Sequence, residues 1–192
     1  MEAFLLSVGV VALAEIGDKT QLLALVLAAR FRKPWPVILG IFVATLLNHA
    51  FAGFIGAWLT RLVDPTYMRW ILGISFIAMA AWMLVPDHYD DSDSGPAAPR
   101  FGVFFTTLTA FFFVEMGDKT QIATVALAAK YSSLFAVVAG TTVGMMLANV
   151  PVVLVGEKAA RKLPLKLVHG VAAAIFLVMG LVALFWPGGT QA

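Results

Sequence analysis

Hydrophobic residues along the chain are grouped into six long segments that are separated by short polar or basic stretches. The segments lie at residues 3–29, 35–60, 69–86, 101–129, 134–156 and 167–186. Each has about 18 residues or more, which is the length that an α-helix needs to cross a lipid bilayer. The pattern therefore predicts an all-α membrane protein with six transmembrane helices.

The composition of the 192-residue chain supports a membrane location. Apolar residues make up 61% of the chain and charged residues 12%, whereas soluble domains have about 45–50% and about 25%. The mean hydropathy is +0.92, which excludes a disordered chain or an ordinary soluble domain. The chain has no cysteine, so disulfides and thiolate metal sites are excluded. A net charge of +2 is too small to indicate a nucleic-acid-binding protein.

A seven-residue motif occurs twice, at a spacing of 100 residues. Glu15–Gln21 reads EIGDKTQ, and Glu115–Gln121 reads EMGDKTQ. Each motif belongs to a half with three hydrophobic segments, at residues 1–86 and 101–192, and the acidic segment 87–100 links the halves. A unit of three spans begins and ends on opposite sides of a membrane, so we expect the second half to be inverted. Inverted repeats are typical of secondary transporters, which bind their substrate near the bilayer midplane.

The distribution of lysine and arginine predicts the orientation in the membrane. Eight lie in the loops of one predicted side, and three lie on the other. The eight are Arg30, Arg32, Lys33, Arg100, Lys158, Arg161, Lys162 and Lys166, and the three are Arg61, Arg69 and Lys130. Because positive loops stay in the cytoplasm, we expect an inner-membrane protein with both termini outside and the 87–100 linker cytoplasmic.

The repeated motif places charged side chains near the middle of two predicted spans. On a continuous helix, Asp18 and Lys19 lie on either side of Glu15, Gln21 lies beyond Asp18, and Thr20 points away from this polar arc. Each charge at midspan costs about 2.5–3.5 kcal/mol, so the charges are expected to face one another or water. Interfacial charges or structural ion pairs are the alternative interpretation.

A glycine inside each motif, Gly17 or Gly117, gives the chain local freedom. It lets another backbone approach closely, or it lets the helix bend and free a carbonyl group for a ligand.

The charges of the two motifs indicate the kind of substrate. Four carboxylates and two lysines sum to −2, which one divalent cation or two protons would neutralise. If the lysines instead extend away from the site, its charge is −4. Carboxylate and amide oxygens suit hard cations such as Ca²⁺, Mn²⁺ and Mg²⁺. Crowded carboxylates also bind protons, which compete with the metal.

Small residues recur at every fourth position in the second and fifth segments and predict a close helix-packing face. They are Gly40, Ala44, Ala52 and Gly56 in the second segment, and Gly140, Gly144, Ala148 and Gly156 in the fifth. His49 and Asn149 lie beside this face at the same 100-residue spacing. Each is a candidate outer ligand or the donor of an interhelical hydrogen bond.

Two copies of E-x-G-D-[KR]-[TS], one in each three-span half, resemble the manganese and calcium exporter family, also called the calcium–proton antiporter-2 family. The resemblance implies a six-span fold that exports Mn²⁺ from the cytoplasm in exchange for protons, and it implies no cofactor. A Ca²⁺/H⁺ antiporter of the same fold is the alternative. The cation ligands implied by the resemblance are Glu15, Asp18, Glu115 and Asp118. The candidate supporting residues are Lys19, Thr20, Gln21, Lys119, Thr120, Gln121, His49 and Asn149.

Two other classes of function also fit parts of the pattern. Asp18 and Asp118 could form the dyad of an intramembrane aspartyl protease, but glutamate replaces the first glycine of G-x-G-D and lysine follows each aspartate. A passive cation channel would also need midspan carboxylates, although an inverted repeat favours a transporter. We therefore expect no enzymatic activity. The expected partners are the lipid bilayer, divalent cations and protons, but no nucleic acid, and a homo-oligomer is compatible with the sequence.

Overall fold

The computed structural model describes residues 1–85, 102–155 and 165–185, and over these ranges the regular structure is entirely α-helical. The predicted linker at 87–100 lies outside the described residues. We number the helices α1 Glu2–Glu15, α2 Lys19–Phe31, α3 Pro34–Leu62, α4 Pro65–Met83, α5 Gly102–Glu115, α6 Lys119–Lys130, α7 Leu134–Val155 and α8 Leu165–Phe185.

Four helices are long and apolar enough to cross a membrane, namely α3, α4, α7 and α8. They correspond to the second, third, fifth and sixth hydrophobic segments. Helix α5 is apolar but has only 14 residues. The prediction of an all-α protein with several membrane helices is therefore confirmed for the part of the chain that is described.

The first and fourth hydrophobic segments are each divided into two helices, and the expectation of continuous helices there is wrong. The chain breaks between α1 and α2 at Gly17, which has φ +83°, and between α5 and α6 at Gly117, which has φ +81°. Residues with a side chain are strained at such angles, so glycine permits the break. Asp18 and Asp118 follow in extended conformations and occupy the N-cap positions of the second helix of each pair. The bend that the motif glycines permit is thus present in both halves.

Equivalent helices of the two halves make reciprocal contacts. A Cβ atom placed on Gly40 of α3 would lie 2.9 Å from the carbonyl oxygen of Phe104 in α5. One placed on Gly140 of α7 would lie 2.6 Å from the carbonyl oxygen of Phe4 in α1. These glycines therefore let the backbones approach closely, as the small-residue pattern predicted.

Helices α4 and α8 pack against each other at one side of the molecule. The rings of Phe76 and Phe176, which are 100 positions apart in the sequence, stack with their centroids 6.2 Å apart. Both side chains are fully buried. In addition, α4 packs against α6, and α8 packs against α1.

Candidate cation site at the two helix breaks

The two helix breaks bring carboxylates from both halves of the chain together. Glu15 is the last residue of α1, Glu115 is the last residue of α5, and Asp118 directly precedes α6. One oxygen from each of these three buried side chains lies within 4.8 Å of the others. The carboxyl-terminal ends of α1 and α5 also point their partial negative charge toward this place. The arrangement suits a cation with oxygen ligands.

The lysines of the motif form ion pairs between the halves. Lys19 Nζ lies 3.2 Å from Asp118 Oδ1, and Lys119 Nζ lies 3.9 Å from Asp18 Oδ1. The side chain of Lys119 is only 2% exposed, whereas that of Lys19 is 27% exposed. Of the two alternatives for the lysines, the structure therefore has pairing with the carboxylates. Asp18 lies with Lys119 and is not among the three carboxylates that converge.

Reciprocal pairing leaves the two glutamates as the source of net negative charge. When both aspartates are balanced by lysines and both glutamates are ionised, Glu15 and Glu115 together carry −2. The Oε2 atom of each glutamate is buried and has no hydrogen-bond partner among the described residues. A buried anionic oxygen is costly unless a proton or a cation binds it. The glutamates are thus the groups on which a cation and protons would compete.

The threonine of each motif orients the glutamate of the same half. The Thr20 hydroxyl donates a hydrogen bond to Glu15 Oε1, and the Thr120 hydroxyl donates to Glu115 Oε1. The prediction that Thr20 points away from the polar cluster is wrong, because it assumed one continuous helix. The break at Gly17 reorients α2 relative to α1 and brings the threonine back to the glutamate.

The glutamine of each motif stabilises the break and connects it to a neighbouring helix. Gln21 Oε1 accepts from the Gly17 amide at 3.0 Å, and its Nε2 donates to a backbone carbonyl of α7 at 3.0 Å. Gln121 Oε1 accepts from the Gly117 amide at 2.6 Å, and its Nε2 lies 3.5 Å from Asn48 Oδ1. Both glutamines therefore hold the backbone at the helix breaks and are not part of the carboxylate cluster.

Asn149 and His49 occupy equivalent positions but differ in their contacts. Asn149 Nδ2 donates to Glu15 Oε1 at 3.2 Å and to the carbonyl oxygen of Met145 at 3.1 Å. It therefore makes the interhelical hydrogen bond that was one of its two predicted roles. His49 is fully buried, and neither ring nitrogen has a hydrogen-bond partner in the described ranges.

Two further polar residues contact the ends of the broken helices. Asn48 Nδ2 donates to the carbonyl oxygen of Phe112 at 3.0 Å. His169 Nε2 lies 2.7 Å from the carbonyl oxygen of Ile16, within hydrogen-bonding distance. Sequence reasoning gave His169 no role, and a polar side chain in an apolar segment was the one available signal.

The surroundings of the two breaks are unequal. A Cβ atom on Gly17 would lie 2.7 Å from the side chain of Leu165 in α8. A Cβ atom on Gly117 would have no neighbour within 4 Å in the described part of the chain. Met116, which precedes Gly117, is 51% exposed. Helix α8 therefore covers the first break, whereas none of the described residues covers the second break in this way.

Comparison with known proteins identifies the family. Residues 3–91 and 103–190 match the family described as "Divalent cation/proton antiporter GDT1". A "Putative manganese exporter" of Vibrio cholerae serotype O1 is 49% identical over 187 residues, which cover 97% of this chain and 92% of that protein. A GDT1-like protein of Synechocystis is 26% identical over 202 residues, covering 95% of this chain and 97% of that protein. No solved structure matches the chain.

These matches confirm the resemblance found in the repeated motifs. The family consists of cation/proton antiporters, so it gives no support to the intramembrane protease hypothesis. Together with the apolar helices, it identifies a multi-pass membrane protein. The chain belongs to the GDT1 family of divalent cation/proton antiporters.

Proposed function

We propose that this protein exports Mn²⁺ from the cytoplasm in exchange for protons, and that the ion binds between the two helix breaks. The observation that carries the proposal is the meeting of Glu15, Glu115 and Asp118 within 4.8 Å in a buried place. Oxygen ligands of this kind suit Mn²⁺ and Ca²⁺. The name of the relative in Vibrio cholerae favours Mn²⁺.

The proposed topology has six spans in two inverted halves, at residues 1–86 and 101–192, joined by a cytoplasmic linker at 87–100. In it, α1 with α2 and α5 with α6 each form one broken span. Broken helices with their ends at the substrate are typical of inverted-repeat transporters. The reciprocal contacts of α3 with α5 and of α7 with α1 support this arrangement. Both termini face the outside of the inner membrane, as the loop charges suggest.

In the proposed site, Glu15, Glu115 and Asp118 bind the ion directly, and Asp18 is the fourth carboxylate. The cross-repeat ion pairs hold both aspartates at the interface between the halves. A bound ion contacts carboxylates of both halves at once. Binding is thereby coupled to the relative position of the halves.

The charge of the site suggests the stoichiometry of exchange. Two glutamates that are not balanced by lysine carry −2, which one divalent cation or two protons neutralise. Exchange of one Mn²⁺ for two protons would move no net charge across the membrane. Its rate should therefore depend on the pH gradient and not on the membrane potential.

Transport into inside-out vesicles tests the proposal. We expect an acidic lumen to drive Mn²⁺ uptake, and a pH-sensitive dye in the lumen should report loss of about two protons per Mn²⁺. Clamping the potential with valinomycin and potassium should leave the rate unchanged. Metal movement without proton counterflow would instead identify a channel or a uniporter. Parallel measurements with Ca²⁺ and Mg²⁺ decide the cation.

Matched variants connect the transport to the site. Glu115→Gln removes a charged ligand at nearly constant size and should abolish Mn²⁺ uptake. Glu2→Gln makes the same chemical change at the start of α1, outside the carboxylate cluster, and should retain uptake. Full activity of Glu115→Gln would contradict the assignment of the site.

A further inference from the structure

A cavity of about 460 Å³ lies away from the carboxylate cluster, where the end of α3, the start of α4 and the end of α6 meet. Three of its lining side chains are cationic, and none of the described lining residues is an aspartate or a glutamate. The polar lining residues are Thr60, Arg61, Arg69, Lys130, Tyr131 and Ser132. The cavity is therefore strongly positive.

The two arginines of the cavity have no carboxylate partners in the described part of the chain. Neither Arg61 nor Arg69 forms an ion pair there, and Lys130 is attracted by the Glu2 carboxylate without forming a close ion pair with it. The Arg69 guanidinium lies 5.6 Å from the ring centroid of Trp70, and its Nε is buried without a hydrogen-bond partner among the described residues. A guanidinium group favours paired hydrogen bonds to phosphate or carboxylate oxygens.

The nearby acidic and phenolic groups do not neutralise the cavity. Asp64 accepts from the amide of Thr66 at 2.8 Å and caps α4. Glu2 accepts from the Tyr131 hydroxyl at 3.3 Å. Burial, together with Glu2, raises the pKa of Tyr131 to about 12, so that its hydroxyl stays neutral. An external anion is thus the partner that matches the two arginines, with Lys130 beside them.

We propose that this cavity binds a phosphate-bearing anion, and that the anion is the headgroup of an anionic phospholipid. The outer surface of α4 beside the cavity is apolar, with Trp70 49%, Ile71 46% and Ile74 60% exposed. Acyl chains can lie along this surface while the headgroup phosphate contacts the arginines. Basic pockets between membrane helices on the cytoplasmic side bind anionic headgroups. The cavity has the same chemistry on the side that the loop charges assign to the outside, and tryptophan is enriched at the headgroup level on both sides.

Lipid binding to the purified full-length protein in detergent tests the proposal. We expect native mass spectrometry to show phosphatidylglycerol bound at least about tenfold more tightly than phosphatidylcholine. Arg69→Gln and Lys130→Gln should each weaken phosphatidylglycerol binding by about tenfold, the usual effect of losing a charged hydrogen bond. Should Arg69→Gln fail to fold, Lys130→Gln carries the same test.

The control is Lys33→Gln, which removes an exposed positive charge at the opposite end of α3 and should leave phosphatidylglycerol binding unchanged. Equal phosphatidylglycerol binding by the wild type and both cavity variants would overturn the proposal. Inorganic phosphate alone provides the second arm. If it raises the melting temperature as much as phosphatidylglycerol does, the cavity takes soluble phosphate and the lipid assignment is wrong.

Discussion

Replacing Lys119 by methionine tests whether the buried ion pair between the halves stabilises the fold. The Lys119 side chain is 2% exposed, and its Nζ lies 3.9 Å from Asp18, which is itself buried. Methionine keeps most of the side-chain volume and removes the positive charge. Removing one partner of a buried ion pair typically costs about 3–5 kcal/mol, because the other charge stays in a poorly solvated place.

The equivalent substitution in the first half, Lys19→Met, is the matched control. It makes the same chemical change, and its ion pair with Asp118 is shorter, at 3.2 Å. However, the Lys19 side chain is 27% exposed, so water screens the pair and can solvate the remaining carboxylate. We therefore expect Lys19→Met to cost only as much as the loss of an exposed ion pair, about 1 kcal/mol or less.

Thermal unfolding in detergent, followed by tryptophan fluorescence, measures the difference. For a chain of this size, 1 kcal/mol shifts the melting temperature by about 2–4 °C. Lys119→Met should thus lower it by roughly 6–20 °C, and Lys19→Met by roughly 4 °C or less. The double variant Lys119→Met with Asp18→Asn should recover part of the loss, because it also removes the carboxylate charge. Equal shifts for the two single variants would refute the argument from burial.

Three further predictions concern an oriented ligand, a close helix contact and the bound ion. Thr120→Val removes the hydroxyl that donates to Glu115 and should weaken Mn²⁺ affinity about tenfold. The affinity is measured from the Mn²⁺ dependence of uptake. Thr120→Ser keeps the hydroxyl and should preserve the affinity. Gly56→Ala would place a Cβ atom 2.2 Å from the Val125 carbonyl oxygen and should lower the melting temperature. Gly170→Ala, with no atom within 4 Å of the new Cβ among the described residues, should not lower it. Mn²⁺ at 100 times its dissociation constant should stabilise the purified protein by about 2.7 kcal/mol, and excess chelator should reverse the rise in melting temperature.

The repeated motif was sufficient to find the candidate site, because intramembrane charges at matching positions have few roles other than function. The pattern of hydrophobic residues could not show that the first and fourth hydrophobic segments are each divided into two helices. Only three residues separate α1 from α2, so the first hydrophobic segment continues on both sides of the break. The assumption of one continuous helix across this segment misplaced Thr20, although Gly17 indicated a possible bend.

The pairing of individual polar side chains between the halves could not be predicted from the sequence for another reason. Whether Lys19 pairs with Asp18 or Asp118 depends on how the halves pack, and both aspartates lie in the same G-D-K-T-Q sequence. His169 binds a carbonyl oxygen that is available only because α1 ends at Glu15. This carbonyl oxygen becomes available through the fold, so the spacing of residues in the sequence does not predict the contact.

The unequal surroundings of the two breaks bear on how an ion crosses the membrane. The first break is covered by Leu165 and His169 of α8, and the second, at Gly117, is open to its surroundings in the described part of the chain. In the proposed inverted topology, equivalent positions of the two halves face opposite sides of the membrane. A symmetric molecule would present its site equally to both sides and would leak. In the proposed transport cycle, the opposite state would have these surroundings exchanged, with α8 away from the first break.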